Sequence, residues 1–476
     1  MALPLLFGLI VVFLCNPVGV LVQGGGGRDK PYHVVPVSSM EPKPNCTPST
    51  RDKGSSLRSE KLKVINIHGP CSPTSHGKTS TYPGKTFIHD KTRVEFINGR
   101  GPQFDPLHPE KEESRGGGAN LPASDRSTGE NNYAVTVGFG TPKRDYTLIF
   151  DTGSDTTWIQ CKPCPSCYNQ TQPIFDPSLS STYQNGSCKS SYFDQNTYYQ
   201  PYGDGSYSSG FLGCDTLSLE PTDVIRNFEF GCGQDNSPGF GKAAGMLGLG
   251  QGDRSLISQT ASVFGKSFSY CLPTSPSSTG YLLFGNHVNS SHYRYPYLKY
   301  TALLPNPSGF PSYYFVQLNG ITVGTTRLNV SSALFSLPGT IIDSGTVITR
   351  LPKVVYKALR SAFQKSMSMY PSAPPVEILD TCYDFSHYEE VRYPSIVFHF
   401  GKNVNVNLDP TGIVWRASIS QVCLAFAAKG QAGDVNIIGN TQQQGLHVFY
   451  DLKGKRIGFG PNGCHGPDRK FPRIRD

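Results

Sequence analysis

Two short stretches of the 476-residue chain place a carboxylate at the end of an apolar run and then turn on a glycine. One reads Asp-Thr-Gly-Ser from Asp151, and the other reads Asp-Ser-Gly-Thr from Asp343. Two carboxylates that face one another at contact distance cannot both ionise, so such a pair shares one proton. One member can then act as general base on a water while the other donates a proton. These residue types therefore predict hydrolysis by a dyad of Asp151 and Asp343.

The residues that follow each aspartate support pairing the two motifs, since a single tetrapeptide of this kind could simply mark a strand-to-turn corner. An apolar pair closed by Gly248 comes 97 residues after Asp151 (248 − 151), and one closed by Gly439 comes 96 residues after Asp343 (439 − 343). Matched spacing of two motifs indicates an internal duplication. The chain is therefore expected to contain two similar halves, each of which supplies one aspartate.

The residues directly after each aspartate are expected to support the dyad. Gly153 and Gly345 allow a turn tight enough for the two loops to meet. The hydroxyls of Ser154 and Thr346 are expected to donate hydrogen bonds to the carboxylate of their own loop and so to orient it.

From about Asn132 to Cys464 the chain resembles the pepsin-type aspartic proteases, and more narrowly the nepenthesin-like group of land plants. The resemblance implies a mainly β, bilobed fold with the active-site cleft between two similar β lobes. It implies an aspartic endopeptidase that binds a peptide or protein substrate in an extended conformation and is blocked by pepstatin-like inhibitors. No cofactor, metal or nucleic-acid partner is implied, and the protein is expected to be a monomer.

A hairpin is predicted at residues 197–206, where strand-forming residues run into Gly203, Asp204 and Gly205. Taken alone this is a surface hairpin, and Trp158 is a core tryptophan. The resemblance implies more: the hairpin is the flap over the cleft, Tyr202 is its tyrosine, and Trp158 packs beneath that tyrosine. An amphipathic side chain at this place can cover a bound peptide and form a hydrogen bond at the same time.

The first 120 residues differ in character from the rest. An apolar run at residues 3–22 is interrupted by Pro17 and followed by glycines, which favours a cleaved signal peptide (1–23) over a membrane anchor. Residues 24–120, here called the front segment, carry 15 Lys/Arg against 10 Asp/Glu, a net charge of +5 (15 − 10). This composition could indicate a disordered basic linker. The hexapeptide His-Gly-Pro-Cys-Ser-Pro from His68 resembles the prosegment of the plant group, so a prosegment whose cations bind an acidic cleft is expected.

Cleavage of this prosegment is expected between Gly116 and Asn132. The rest of the chain divides into an N-terminal β lobe with a Cys-rich insertion and the flap (121–290), a C-terminal β lobe (291–464) and a tail (465–476). The one persuasive helical pattern lies at Val354–Met369, after Pro352. No later stretch is long and apolar enough to span a bilayer, so a soluble product is expected.

Cysteine usage indicates an oxidising compartment. Of 13 cysteines, Cys15 lies in the signal peptide, and the even remainder suggests disulfides. The disulfide candidates of the two lobes are Cys161, Cys164, Cys167, Cys188, Cys214, Cys232, Cys271, Cys382, Cys423 and Cys464. The Cys-x2-Cys-x2-Cys run from Cys161 could alternatively bind zinc, but no His pair follows it. The resemblance implies a Cys271–Cys464 bridge and a loop bridged by Cys382 and Cys423, whereas the pairing in the N-terminal lobe stays open.

Possible glycosylation sites suit the same secretory route. The sequons lie at Asn45, Asn169, Asn185, Asn289 and Asn329. Secretion to the apoplast is expected, with the vacuole or, less often, a plastid as the alternative. The basic excess lies mostly in the segment to be removed, so it indicates no nucleic-acid partner.

Three other functions compete with proteolysis. Plant proteins that resemble this group include inhibitors of microbial glycosidases with damaged dyads, whereas both aspartates, both glycines and both hydroxyls stand in place here. A two-carboxylate glycosidase would explain neither the matched glycines nor the hairpin. A serine hydrolase lacks its Gly-x-Ser-x-Gly motif before a suitable histidine. The sequence therefore favours an aspartic endopeptidase.

Overall fold

The computed structural model describes residues 31–40, 43, 45–46, 62–74, 83–100, 132–188, 196–202, 205–219, 223–285, 298–307, 309–418, 420–461 and 463–465. The expected signal peptide, all of the expected cleavage region except Asn132, and the tail beyond residue 465 lie outside these residues. The described residues, all from Pro31 onward, form one compact unit.

The elements are mostly strands, which confirms the prediction of a mainly β chain. The front segment contributes β1 (Tyr32–Pro36), β2 (Leu62–Asn66) and α1 (Pro83–Ile97). The N-terminal half, residues 133–285, contains β3 (Tyr133–Phe139), β4 (Arg144–Asp151), β5 (Trp158–Gln160), β6 (Gln184–Asn185), β7 (Thr197–Pro201), β8 (Tyr207–Ser218), β9 (Val224–Asn236), β10 (Gly245–Gly248), α2 (Leu256–Gln259), α3 (Ala261–Phe264), β11 (Ser267–Cys271) and β12 (Thr279–Phe284). The C-terminal half, residues 298–465, contains β13 (Lys299–Leu304), β14 (Tyr314–Val316), β15 (Leu318–Val323), β16 (Thr326–Arg327), α4 (Ala333–Ser336), β17 (Thr340–Ile342), β18 (Thr349–Leu351), α5 (Lys353–Ser366), β19 (Ser372–Ala373), β20 (Cys382–Asp384), β21 (Glu390–Pro394), β22 (Ile396–Phe400), β23 (Val404–Asn407), β24 (Val414–Arg416), β25 (Gln421–Leu424), β26 (Phe426–Ala428), β27 (Asn436–Ile438), β28 (His447–Asp451) and β29 (Arg456–Gly460).

The strand that carries each aspartate has the same kind of neighbour in both halves. β10 runs parallel to β4, with Gly248 opposite Asp151. β27 runs parallel to β17, with Ile438 opposite Ile342, one residue before Asp343. β10, β17 and β27 are buried throughout and β4 is buried from Tyr146 onward, which explains why these stretches read as apolar runs rather than alternating patterns. The matched spacing in the sequence thus reflects the same parallel pairing, repeated once in each half.

One sheet joins the two halves. β11 pairs with β12 on one side and with β28 on the other, and β29 follows β28 and pairs with β13. β2 of the front segment lies between β12 and β3 in this sheet. Its Leu62 and Val64 are buried in the main core. This part of the front segment is therefore a core strand and does not behave as a basic linker.

A helix of the front segment was not anticipated by the sequence pattern. α1 buries Phe87, Val94 and Ile97, three apolar residues spread over eleven positions, which is too sparse a pattern for periodicity to detect. The helix predicted at Val354–Met369 is present as α5. It buries Val355, Tyr356, Leu359 and Phe363, as expected for an amphipathic helix on a core.

The cysteines of the described residues form six disulfides. The pairs are Cys46–Cys71, Cys161–Cys232, Cys164–Cys167, Cys188–Cys214, Cys271–Cys464 and Cys382–Cys423. All three cysteines of the Cys-x2-Cys-x2-Cys run are thus bridged, so none of them offers a thiolate to zinc. Among the sequons, the side chains of Asn45, Asn169, Asn185 and Asn329 are exposed, and Asn289 lies outside the described residues.

The helices of the described residues are short. Their longest helix, α1, has 15 residues, and no helix among them is both long and apolar enough to cross a bilayer.

Candidate active site

The two aspartate loops are joined by reciprocal hydrogen bonds. Thr152 donates its backbone N–H to Ser344 Oγ at 3.0 Å, and Ser344 donates its N–H to Thr152 Oγ1 at 2.9 Å. These residues stand directly after Asp151 and Asp343, so the bonds bring the two carboxylates to one place. Their role was missed from the sequence, although a hydroxyl residue at the same position of both motifs was a usable signal.

Both glycines are required by the approach of the opposite loop. A Cβ at Gly153 would lie 2.8 Å from Asp343 Oδ1, and a Cβ at Gly345 would lie 2.5 Å from Asp151 Oδ1. Each glycine also donates its N–H to the aspartate of its own loop, at 3.0 Å and 3.1 Å respectively. The small residue therefore serves both its own carboxylate and the neighbouring one.

The two hydroxyls expected to orient the carboxylates behave differently. Thr346 Oγ1 donates to Asp343 Oδ2 at 2.6 Å, as expected. Ser154 Oγ is buried and has no hydrogen-bond partner among the described residues, so the expected bond to Asp151 is absent. Asp151 is instead held by the Gly153 N–H and by an arginine. The symmetry of the two motifs in sequence is thus broken in their hydrogen bonding.

That arginine is Arg93 of α1, which bridges both carboxylates. Its Nη2 lies 2.8 Å from Asp151 Oδ1 and 3.0 Å from Asp343 Oδ1, and its Nε lies 3.0 Å from Asp343 Oδ2. The third nitrogen, Nη1, lies 3.3 Å from Asp151 Oδ2. Planar guanidinium groups suit such multidentate contacts with carboxylates. Arg93 therefore occupies the space in front of the dyad.

Burial and charge act against one another at this site. Burial raises the pKa of Asp343, Arg93 opposes the rise, and the neighbouring Asp151 adds to it, with a net increase. Burial alone would lower the pKa of Arg93, but Asp151 and Asp343 outweigh it and raise that pKa well above its ordinary value. The arginine therefore stays charged and neutralises a buried pair of acids.

Two further ion pairs seat α1 and its end against the C-terminal half. Asp90 Oδ2 lies 2.5 Å from Arg350 Nη2, and both side chains are buried. Arg100, just past the helix, makes a two-pronged ion pair with Asp434. Phe87, three residues before Asp90, packs on Trp415 with ring centroids 5.2 Å apart. The helix is thus held by contacts at both ends and at the dyad.

The predicted hairpin lies beside the dyad as β7 and β8. Trp158 Nε1 donates to Tyr202 Oη at 2.7 Å, and both rings pack edge-on against Phe240. Tyr202 and Trp158 are buried, and Gly205 closes the turn with φ of +79° and a bond from its N–H to Tyr202 O. Gly203 lies outside the described residues. The tyrosine and the tryptophan therefore form one hydrogen-bonded unit at the edge of the cleft.

The loop-to-loop hydrogen bonds give a direct stability prediction. Ser344→Ala removes the acceptor of the Thr152 N–H and leaves that buried donor unpaired, which costs about 1–3 kcal/mol. We expect the free energy of unfolding from urea titration to fall by this amount. Thr152→Ser keeps both hydroxyls and is expected to cost less, while Ser366→Ala, at an exposed position of α5, serves as control. Equal stability of Ser344→Ala and Ser366→Ala would show that the reciprocal bonds do not hold the loops.

Two family models match the chain. They are described as Xylanase inhibitor N-terminal, over residues 133–286, and Xylanase inhibitor C-terminal, over residues 313–461. A crystal structure titled edgp aligns with a TM-score of 0.58 at 22% identity, covering 70% of this chain and 94% of that chain. This likeness shows the two-lobed β fold.

Several curated relatives are similar over most of their length. An aspartyl protease family protein of Arabidopsis thaliana is 42% identical over 475 residues, covering 96% of this chain and 98% of the relative. The aspartyl protease AED1 of Arabidopsis thaliana is 43% identical over 454 residues, covering 93% and 94%. The aspartic proteinase nepenthesin-2 of Nepenthes gracilis is 35% identical over 353 residues, covering 71% and 78%.

Proposed function

The chain belongs to the nepenthesin-like group of plant aspartic proteases and is an aspartic-type endopeptidase, and from this premise we propose that it is made as a secreted zymogen that cleaves peptide bonds at acidic pH. Its catalytic groups are Asp151 and Asp343. Its prosegment is the front segment. The disulfides and the exposed sequons support a secretory route to the apoplast.

The observation that carries this proposal is the position of Arg93. A reacting peptide carbonyl and its attacking water must both lie within hydrogen-bond reach of the two carboxylates. The guanidinium of Arg93 occupies the space beside the two carboxylates and pairs with both of them. The precursor is therefore inactive while α1 is in place. Among the described cations of the front segment, Arg93 is the one that contacts the two catalytic carboxylates, as an attraction between prosegment cations and an acidic cleft requires.

Once α1 has left, the pair can share a proton. The ionised carboxylate takes a proton from the water as it attacks the peptide carbonyl, and the protonated carboxylate donates a hydrogen bond to the carbonyl oxygen. The roles exchange when the amine departs. The bonds from Gly153, Gly345 and Thr346 keep the carboxylates in place throughout.

The hairpin with Tyr202 serves as the flap over an extended peptide. A strand-like substrate would bind the cleft through backbone hydrogen bonds, with side-chain pockets on either side. Closure of such a flap excludes water and aligns the scissile bond. The Trp158 N–H holds the tyrosine hydroxyl in the observed position.

The names of the matching family models raise an alternative, a binding protein that inhibits a glycosidase. A protein of that kind would not need an intact dyad. Both carboxylates, both glycines and the bridging hydroxyls are present here and brought together, which supports catalysis.

Acid proteolysis tests the proposed function. The secreted product is brought to about pH 3–4, near the reference pKa values of carboxylates, and cleavage of a denatured protein is followed with and without pepstatin. Pepstatin-sensitive cleavage after loss of the front segment supports the proposal. Removal of the front segment is confirmed by mass spectrometry. If the protein then cleaves nothing, the result favours the binding protein.

Release of α1 is expected to depend on pH. Arg93 holds the pKa of Asp343 below the value that burial and Asp151 would otherwise produce. The released form therefore binds the proton more tightly, and acidification favours it by up to about tenfold per pH unit for one proton. Because the pKa of Asp343 is raised even with Arg93 in place, release should begin above about pH 4, the ordinary range of aspartate.

The rate at which the precursor is processed, followed by gel between pH 7 and 3, measures this release. The rate should rise as the pH falls towards the raised pKa of Asp343 in the precursor and should level off below it. A rate that does not change over this range would contradict a proton-linked release.

A further inference from the structure

The carboxylate of Asp90 lies in a binding site whose residues all come from the C-terminal half of the chain. Its Oδ1 accepts the Val347 N–H, its Oδ2 accepts the Ile348 N–H at 3.4 Å, and Oδ2 also pairs with Arg350 Nη2 at 2.5 Å. The side chain of Asp90 is fully buried, and that of Arg350 is 4% exposed. A guanidinium and two backbone donors that converge on one carboxylate form an anion site of high specificity.

This site loses its ligand when α1 leaves. Arg350 is then a cation whose remaining described side-chain hydrogen bond is the one from Nη1 to Ile348 O. Removal of one partner of a buried ion pair is strongly unfavourable, because the other charge stays uncompensated. The two N–H groups lose their acceptor as well. A carboxylate from another molecule would restore all three interactions.

The site lies next to the dyad. Val347 directly follows Thr346, whose hydroxyl holds Asp343. On the same helix, Phe87 stands three residues before Asp90 and packs on Trp415, in an apolar cluster that includes Val347 and Ile348. An extended peptide that reaches the dyad from this side therefore passes the three donors that now hold Asp90.

We propose that Val347, Ile348 and Arg350 form a carboxylate-binding subsite of the activated enzyme, which selects substrates with an Asp or Glu side chain close to the scissile bond. The inference rests on the proposed proteolytic function. Asp90 and Arg93 thus have different roles. Arg93 blocks the reacting groups, whereas Asp90 occupies the place of an acidic residue of the substrate.

Matched peptides test the subsite in the activated wild-type enzyme. A cleavable peptide is varied one position at a time by Asp or Asn and by Glu or Gln, and a separate pair differs only in a free or amidated C-terminus. The assay runs at about pH 5, where a peptide Asp is mostly ionised. At one position near the scissile bond, kcat/KM should favour the acid over its amide by about 10- to 100-fold, the range expected for hydrogen bonds to a charged group.

Variants then assign the preference to the arginine. In Arg350→Gln the ratio of acid to amide kcat/KM should fall to about one. In Arg350→Lys the ratio should lie between that of Arg350→Gln and that of the wild type, because an ammonium point charge replaces a planar, bidentate guanidinium. Arg360→Gln makes the same change of charge at an arginine of α5 whose side chain is 35% exposed, and should keep the wild-type ratio. The wild-type comparison stands even if an Arg350 variant does not fold.

The outcomes separate this inference from the function on which it rests. Pepstatin-sensitive cleavage without any preference for acidic side chains would overturn the subsite and leave the protease. A preference only for the free C-terminus would overturn the assignment to a side chain. Absence of all proteolysis would overturn both proposals.

Discussion

Asp151→Asn and Asp343→Asn are each expected to reduce kcat by about 10³- to 10⁴-fold, at the upper end of the usual contribution of general acid–base catalysis. An amide can neither take the proton of the water nor replace the shared carboxyl proton. Because the pair acts as a unit, the double variant should lose little more than either single one. The measurement is the turnover of a quenched peptide by enzyme whose front segment has been removed.

Asp145→Asn is the matched control for this loss. It makes the same change of charge and shape on a side chain that is 61% exposed and pairs with Lys143. It should keep wild-type turnover, because exposed ion pairs of this kind contribute little. Turnover of Asp151→Asn equal to that of Asp145→Asn would exclude the dyad as the catalytic site.

Arg93→Gln is expected to release the inhibition of the precursor. The substitution leaves Asp151 and Asp343 buried without their cation, and breaking a buried ion pair in this way costs about 3–5 kcal/mol. That cost falls on the state with α1 in place, so the open state becomes about 100- to 4,000-fold more populated, at about 1.4 kcal/mol per factor of ten. The uncleaved variant should therefore hydrolyse a small peptide under mildly acidic conditions where the wild-type precursor does not.

Two other variants of the same helix sharpen this test. Lys91→Gln removes an exposed cation two residues away and should leave the precursor inactive. Arg93→Lys keeps the charge but cannot bridge both carboxylates with one planar group, so its activity should lie between the two. To keep the precursor intact during the assay, its cleavage is followed by mass spectrometry. If the Arg93→Gln precursor is as inactive towards the peptide as the Lys91→Gln precursor, other contacts, such as Asp90–Arg350, suffice for inhibition.

The contacts of α1 divide into two kinds. Arg93 covers the reacting groups, and Asp90, Phe87 and Arg100 attach the helix to the C-terminal half. β2 belongs to a third environment, the sheet that joins the halves, where its apolar residues are in the core. Loss of inhibition therefore requires displacement of the helix. It does not require displacement of β2.

The dyad, its glycines and the hairpin were predictable from contiguous residues. Asp151 and Asp343 each end an apolar strand, and the repeated spacing to Gly248 and Gly439 follows from the same parallel pairing in both halves. The turn signal around Gly205 and the pattern of α5 are also local. These features follow from backbone preferences and side-chain periodicity, which depend on residues close together in the sequence.

Contacts between distant residues could not be predicted in this way. Arg93 is one of 15 cations in the front segment, and only the packing of α1 brings it into contact with Asp343, which lies 250 residues away in sequence. The bonds between Thr152 and Ser344, 192 residues apart, depend on how the halves meet. So does the lack of a partner for Ser154 Oγ among the described residues. Residue types determined which chemistry is possible, whereas the tertiary structure decided which charges and donors face one another, because electrostatics and hydrogen bonding act through space over a few ångströms and not along the sequence.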